Sequence, residues 1–363
     1  MIHIIIGTRA QIIKMAPIMS ELKKRGIDYN FIFLAQHNET MYEIMEQFKI
    51  KRPDIIIGER GKDITNVKDM IFWSIRVLAY ALLNNKKIFR NDTNGVVLIH
   101  GDAPPLFLGG LMAKFQSGLK TAQVEAGLRS FNYFKPFPEE LIRVLSAKLS
   151  LIDIFFCQDE KAVQNVSKYN KLTHCTHHNT IFDSINLADS LYPNQNHSKT
   201  IKPFAIISLH RFETISKKNR LELVLKEVQK ISKKISILFI LHPSTREALI
   251  KKGLYSSLNN DPNCSLLPRQ SFFKFNRLLR DAEFIVTDGG SNQEESYYLG
   301  KPCLLLRSET ERMEGLEHNV VISNFDSAVI NNFVCNYKLY RREPIPKTVS
   351  PTRIIIDHLK EFA

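Results

Sequence analysis

Five cysteines (Cys157, Cys175, Cys264, Cys303, Cys335) are odd in number, widely spaced and never arranged as CxxC. That pattern excludes a disulfide framework and fits a reducing compartment. No uninterrupted apolar run approaches 18 residues, so no helix is expected to span a bilayer. The chain opens MIHIIIGTRAQ, a strand and a loop, without the basic n-region and small-residue cleavage site of a signal peptide. A cytoplasmic location is expected. GxGxxG, the P-loop and GxSxG are all missing, which leaves dinucleotide cradles, Walker-type phosphate loops and nucleophile elbows unsupported. Low-complexity segments and long internal repeats are absent too.

What is present is ordinary globular material: 44% hydrophobic and 24% charged residues over a chain of 363. That length exceeds one core and predicts two domains. Lys and Arg number 50 against 37 Asp and Glu, a net +13. The excess falls in surface-like runs such as Lys217-Lys218 and Lys233-Lys234, and no nucleic-acid motif accompanies it. It reads as solvated faces rather than a nucleic-acid site.

Short apolar runs alternate with helical periodicity along the chain. Residues 2–6, 29–34, 96–99 and 121–124 read as strands followed by helices from about 10, 40, 104 and 138. In the second half, 204–208, 235–241 and 283–286 precede helices at 220–231, 245–252 and 292–299, with a further strand at 303–306. Continuous Val/Ile/Leu/Phe runs between helices indicate parallel strands buried on both faces, hence doubly wound α/β sheets. Periodicity lapses over 168–179 (sequence YNKLTHCTHHN from 169), which places the domain break there. The expectation is a Rossmann-like domain over 1–170, a second over 175–345, and a closing helix within 350–363 that packs back on the first. Two such domains facing each other imply a cleft at the carboxyl ends of both sheets.

Polar residues at strand ends are the candidates for chemistry. Gly7-Thr8-Arg9 follows the first strand with Lys14 one turn into the next helix, a glycine turn with fixed cations near a helix start. His100-Gly101-Asp102 ends the 96–99 strand, where Asp102 serves either as an ionisable site residue or as the N-cap of the helix at Pro104-Pro105. Glu125 ends another strand, and Glu139 and Arg143 stand at i and i+4 on one helix face. Carboxylates gathered with arginine can hold one acid protonated and another ionised. His210-Arg211-Phe212-Glu213 and His242-Pro243 close two strands of the second half. Thr287-Asp288-Gly289-Gly290-Ser291-Asn292-Gln293-Glu294-Glu295 runs from strand into helix, with glycines where amides could meet a diphosphate and Glu295 placed for ribose hydroxyls. Arg307 and Thr310-Glu311-Arg312 come after the next strand. His174, Cys175, His177 and His178 lie within five residues and lack a second spaced pair, so no metal site is expected. Cys303, inside a strand, reads as a core thiol.

Read in order, GTRAQIIKMAP, AQHNET, HGD, VEAGLRSFNYFKPFPEE with Arg143, HRFE, HP, TDGGSNQEE, LGKP and TERMEG span residues 7 to 315. The series resembles the UDP-N-acetylglucosamine 2-epimerase family, with two Rossmann-like domains in the GT-B arrangement. The resemblance implies that Asp102, Glu125, Glu139 and His210 are catalytic, with Arg9, Lys14 and Arg143 lining the same cleft. It implies that Phe275, Gly289, Gly290, Ser291, Glu295 and Arg312, with His242 beside them, hold a UDP-sugar. It further implies epimerisation at C2 by elimination of UDP to a glycal and re-addition, no cofactor or metal, and a homodimer; a hydrolysing 2-epimerase that releases free sugar and UDP, or a GT-B glycosyltransferase, is the alternative. By it, His210 and the cations at Arg9 and Lys14 sit on the departing phosphate, and the product supplies a surface polysaccharide. The chain departs from the family at several places. GTRPE is here Gly7-Thr8-Arg9-Ala10-Gln11, TDSGGIQEE is TDGGSNQEE, and HRRE is HRFE. Gln36-His37-Asn38-Glu39 lacks the arginine of the family's activator motif, and the segment 51–66 does not match the family's cationic stretch after that motif.

Overall fold

The computed structural model describes residues 1–363 except 37–39, 59–63, 65–66, 117, 134–136, 194–201, 217 and 363. His37, Asn38 and Glu39, part of the 51–66 segment, Phe134, Lys135 and Pro136, and Lys217 therefore lie outside the described residues.

The chain forms two units, Met1–Leu191 with Lys347–Ala363, and Tyr192–Pro346. In the first, seven parallel strands stand in the order β3-β2-β1-β4-β5-β6-β7: β1 Ile2–Ile6, β2 Tyr29–Leu34, β3 Ile55–Ile57, β4 Val96–His100, β5 Lys120–Ala126, β6 Ile154–Cys157 and β7 Leu172–Cys175. In the second, six parallel strands stand in the order β10-β9-β8-β11-β12-β13: β8 Phe204–Leu209, β9 Ser236–Leu241, β10 Cys264–Pro268, β11 Phe284–Thr287, β12 Cys303–Leu305 and β13 Val320–Ile322. Strands β1, β2, β4 and β8 are buried along their whole length, which is why they read as mostly apolar runs, interrupted by a single buried polar residue each, rather than alternating ones. Both sheets are doubly wound, the fold class the strand and helix rhythm predicts.

Each order reverses once, between β1 and β4 in the first sheet and between β8 and β11 in the second. At such a switch point the two crossover helices leave to opposite faces and open a crevice beyond the strands' carboxyl ends. Gly7 to Lys14 come after β1 and His100 to Asp102 close β4. His210 comes after β8, and Asp288 to Ser291 after β11. These expected site residues thus stand at the switch point of each sheet, whereas Glu125, Glu139 and Arg143 belong to β5 and the helix after it, and His242 follows β9.

The division between units falls at 191/192, not at 170–175. Strand β7 is the edge strand of the first sheet, paired on one side only with β6 and partly exposed throughout. Its LTHC sequence is therefore polar and reads as a break, while helix Ile181–Leu191 still belongs to the first unit. The closing helix Pro351–Leu359 is held there as well: Asp183 Oδ2 accepts from Ser350 Oγ and Thr352 N, each at 2.8 Å. Arg25 Nη1 donates to Asp357 Oδ1 at 2.6 Å.

Helix Val67–Ile88 has no counterpart among the elements read from the pattern. Trp73, Val77, Ala81 and Ile88 form its buried stripe, with Trp73 at 1% exposure in the first unit's core. Its other face is apolar too, so no amphipathic period stands out. No helix among the described residues is long and apolar enough to cross a membrane.

Candidate active site

The turn after β1 is built around Gln11. Thr8 caps helix Arg9–Lys24, its hydroxyl accepting from Gln11 N at 3.3 Å. Gln11 Oε1 accepts from Gly7 N at 2.9 Å and Thr8 N at 3.1 Å, while its Nε2 donates to the His100 carbonyl at 2.7 Å. One amide thus ties the β1 loop to the β4 loop across the switch point. Arg9 opens the helix and donates to Thr40 Oγ1 at 3.4 Å. Lys14, one turn further, is buried at 3% exposure and forms an ion pair with Glu125. Nothing local to Lys14 points to that partner; by position it reads, with Arg9, as a phosphate cation.

Glu125 lies inside β5 with φ +61°, at a break in pairing register between Val124 and Ala126. A non-glycine residue in the left-handed region costs on the order of 1–2 kcal/mol, and a bulge there re-aims one side chain. The carboxylate so aimed meets Lys14 Nζ, His100 Nε2 at 3.2 Å and Asn179 Nδ2 at 2.7 Å, all at Oε2. His100 and Asn179 are themselves buried.

Asp102 does not cap the following helix. Ala103 occupies the N-cap with no side-chain hydrogen bond. Asp102 instead takes Arg143, whose Nε donates to Oδ2 at 3.0 Å and whose Nη2 forms an ion pair with the same oxygen. Arg143 Nη1 also donates to Glu140 Oε2 at 3.1 Å, an i,i+3 contact on helix Glu139–Lys148. Glu140, which has no signal of its own in the sequence beyond a place at a helix start, is fully buried. It accepts from Arg129 Nε at 2.5 Å and Ser130 N at 3.0 Å. Burial alone would raise its pKa, but these donors, from the Ser130 amide to Arg129 and Arg143, hold it below the ordinary carboxylate value. Glu140 therefore anchors Arg143, and Arg143 fixes Asp102. Glu139, the first residue of that helix, is half-buried.

In the second unit, Asp288, just after β11, is fully buried and accepts from the amides of His210 at 3.0 Å and Arg211 at 3.1 Å. It fixes the turn after β8 from the strand beside it. His210 stacks on His242, ring centroids 4.6 Å apart, with Nδ1 3.5 Å from Asp288 Oδ1. Desolvation lowers the His210 pKa below its ordinary value, against the pull of Asp288.

Helix Gly290–Tyr298 starts at the end of β11 with Gly289 as N-cap, so its leading amides and dipole favour an anion there. At both glycines a side chain would displace a neighbouring one. A Cβ on Gly289 would stand 2.6 Å from His210 Cε1, and one on Gly290 2.6 Å from Arg312 Nε. Arg312 is held by an ion pair with buried Glu294. Gln293 Nε2 donates to the carbonyls of Arg312 at 3.1 Å and Glu314 at 2.9 Å, locking that loop to the helix. Glu295 is buried and accepts from Asn292 Nδ2 at 3.0 Å. Ser291 is partly exposed in the first turn. Phe275 lies buried on helix Phe272–Asp281 after β10, the edge strand, away in strand order from the switch point.

Glu311 closes this constellation. Arg307 Nη2 donates to it at 3.0 Å and Arg211 Nη2 stands 3.6 Å away. Burial pushes its pKa up, but Arg312, Arg307 and Arg211 outweigh that and bring it down to about 2. A depressed carboxylate stabilises the fold fully above its unfolded value near 4.5 and ceases to do so as pH falls towards 2. Glu311→Gln should cost on the order of 2–3 kcal/mol at neutral pH. The gap between variant and parent melting temperatures should narrow as pH drops from 4.5; a gap constant down to pH 3 would refute the assignment.

Two doubly wound units with charged and polar groups at both switch points define an α/β enzyme of the GT-B class. The family model for UDP-N-acetylglucosamine 2-epimerase matches residues 20–336. The chain is 31% identical over 337 residues to the UDP-N-acetylglucosamine 2-epimerase of Methanococcus maripaludis, covering 88% of this chain and 86% of that protein. It is 29% identical over 322 residues to the Bacillus subtilis protein of the same name, covering 86% and 80%. The crystal structure of Methanocaldococcus jannaschii UDP-GlcNAc 2-epimerase in complex with UDP-GlcNAc and UDP superimposes with a TM-score of 0.79 at 27% identity, covering 99% of each chain. The protein belongs to the UDP-N-acetylglucosamine 2-epimerase family of isomerases.

Proposed function

We propose that this protein interconverts the C2 epimers of a UDP-N-acetylhexosamine, UDP-GlcNAc and UDP-ManNAc in the first instance, without net hydrolysis. The observation that carries this reading is the pair of clamped carboxylates on neighbouring strands of the first sheet, Asp102 after β4 on Arg143 and Glu125 in β5 on Lys14. A C2–H is a weak acid, so its removal needs a positioned base, and inversion needs a second group to protonate the opposite face. One carboxylate takes the C2 proton. The C–H pair becomes the C1=C2 double bond, and the C1–O bond breaks with its electrons leaving on UDP. The other group enters the step protonated and gives that proton to C2 from the opposite face as UDP adds back to C1, so the two groups exchange protonation states over one turnover. Glu139 is the remaining candidate for either task. In the second unit the amides of Gly290 and Ser291 with Arg312 and His210 receive the diphosphate, and Glu295 takes the ribose. Arg9 adds charge at the leaving group, while Phe275 and His242 complete the nucleotide's surroundings.

The test is proton NMR with UDP-GlcNAc in D2O. UDP-ManNAc carrying deuterium at C2 is expected. Free ManNAc with UDP would replace re-addition by water capture, and an unexchanged C2–H would remove the reaction altogether. The step belongs in the cytoplasm, supplying a precursor for a surface polysaccharide.

The protein acts as a homodimer in this reading, and the outer face of helix Val67–Ile88 is its interface. Ile71, Phe72, Ile75, Leu82 and Leu83 are 54–86% exposed there, opposite the buried Trp73 stripe. A helix apolar on both faces is one that something covers. A two-fold apposition of this face buries its apolar side chains against the same side chains of a second copy. Ile75→Glu with Leu83→Glu should give a monomer by analytical ultracentrifugation with unchanged helix content. A dimer that survives both changes rules this face out.

A further inference from the structure

We infer that Asn179 is a positioning residue for the Glu125 carboxylate, an inference that rests on Glu125 taking part in proton transfer. Asn179 lies between β7 and helix Ile181–Leu191 and is 2% exposed. Its two amide atoms do different work. Oδ1 accepts from Ile181 N at 3.0 Å and so opens the helix, while Nδ2 donates to Glu125 Oε2 at 2.7 Å. Because the Ile181 N–H needs an acceptor, the amide can present only its NH2 to Glu125. The helix start therefore dictates which group the carboxylate meets.

Glu125 needs such a partner. Its backbone sits at φ +61° in a bulge, a conformation that the surroundings must impose. Lys14 reaches it from helix Arg9–Lys24 and His100 from β4, and Asn179 adds a third direction from beyond β7. Lys14 is a flexible point charge that tolerates many carboxylate orientations. The short, planar Asn179 amide is rigid at both ends and selects one. Misplacing a reacting group by about 1 Å can cost ~10²-fold in rate.

The double role supplies the test. In Asn179→Ser the hydroxyl can still accept from Ile181 N, but it is too short to reach Glu125. In Asn179→Asp the acceptor for Ile181 is kept and the donor to Glu125 becomes a second carboxylate. Asn179→Ser should keep a near-parental melting temperature and lower kcat for UDP-GlcNAc epimerisation by roughly 10–100-fold, with KM changed far less. Asn179→Asp should move the acid limb of the kcat/KM profile to higher pH, since two adjacent carboxylates hold a shared proton more tightly. Parental kcat and an unmoved profile in both variants, with an active parent, would overturn the inference. So would a Ser variant that fails to fold, which would leave Asn179 as a helix cap alone. A parent that neither epimerises the sugar nor exchanges its C2 proton would instead remove Glu125 from proton transfer, and this inference with it.

Discussion

Asp102→Asn should lower turnover of UDP-GlcNAc at least ~10³-fold while leaving UDP affinity within a few-fold of the parent. General acid–base groups contribute about 10²–10⁴-fold, and an amide of the same shape can neither take nor give the C2 proton. Nucleotide contacts are assigned to the second unit, so a change after β4 leaves them in place. The Asn side chain still offers an oxygen to Arg143 Nε, which in the parent reaches Asp102 at 3.0 Å, so the geometry survives while the chemistry goes. NMR turnover and calorimetric titration with UDP check the two halves. Turnover within ten-fold of the parent would take Asp102 out of proton transfer, and a collapse of UDP binding would relocate it to the nucleotide.

Glu295→Ala should do the reverse. Hydrogen bonds to a charged acceptor are worth about 1.5–3 kcal/mol each, so losing the ribose contacts should weaken UDP by roughly 10–100-fold. The change also strips Asn292 Nδ2 of the acceptor it meets at 3.0 Å, loosening the first turn of helix Gly290–Tyr298. At saturating UDP-GlcNAc the proton chemistry should be much less affected, so KM rises more than kcat falls. Near-parental UDP affinity would undo the placement of the ribose.

How far the sequence reveals this depends on where each residue's neighbours lie. Strands such as Ile2–Ile6 and Phe204–Leu209 announce themselves because both faces are buried. The residues that close or follow them, Gly7, His100 and His210, are singled out as candidates by position alone. Leu172–Cys175 escapes because an edge strand has only one neighbour and tolerates His and Thr, and the domain boundary is misplaced with it. Helix Val67–Ile88 escapes because an apolar outer face erases the contrast that periodicity detects. Pairings are illegible wherever they cross the sequence. Lys14 and Glu125 are 111 residues apart, and Arg143 and Asp102 are 41 apart. The i,i+4 spacing points to Glu139 and does not single out Glu140, which Arg143 meets at i,i+3 and Arg129 meets from outside the helix. Asn179 carries no local signal beyond standing after three histidines.

The Gln11 amide has one more consequence. Its NH2 meets a carbonyl of the neighbouring loop, a bond that a carboxylate at this place could make only by carrying a proton. A side-chain amide does not titrate between acid and base. The fastening between the two loops should therefore keep the same strength in acid and in base, and any pH response of the first unit must originate elsewhere than at this seam.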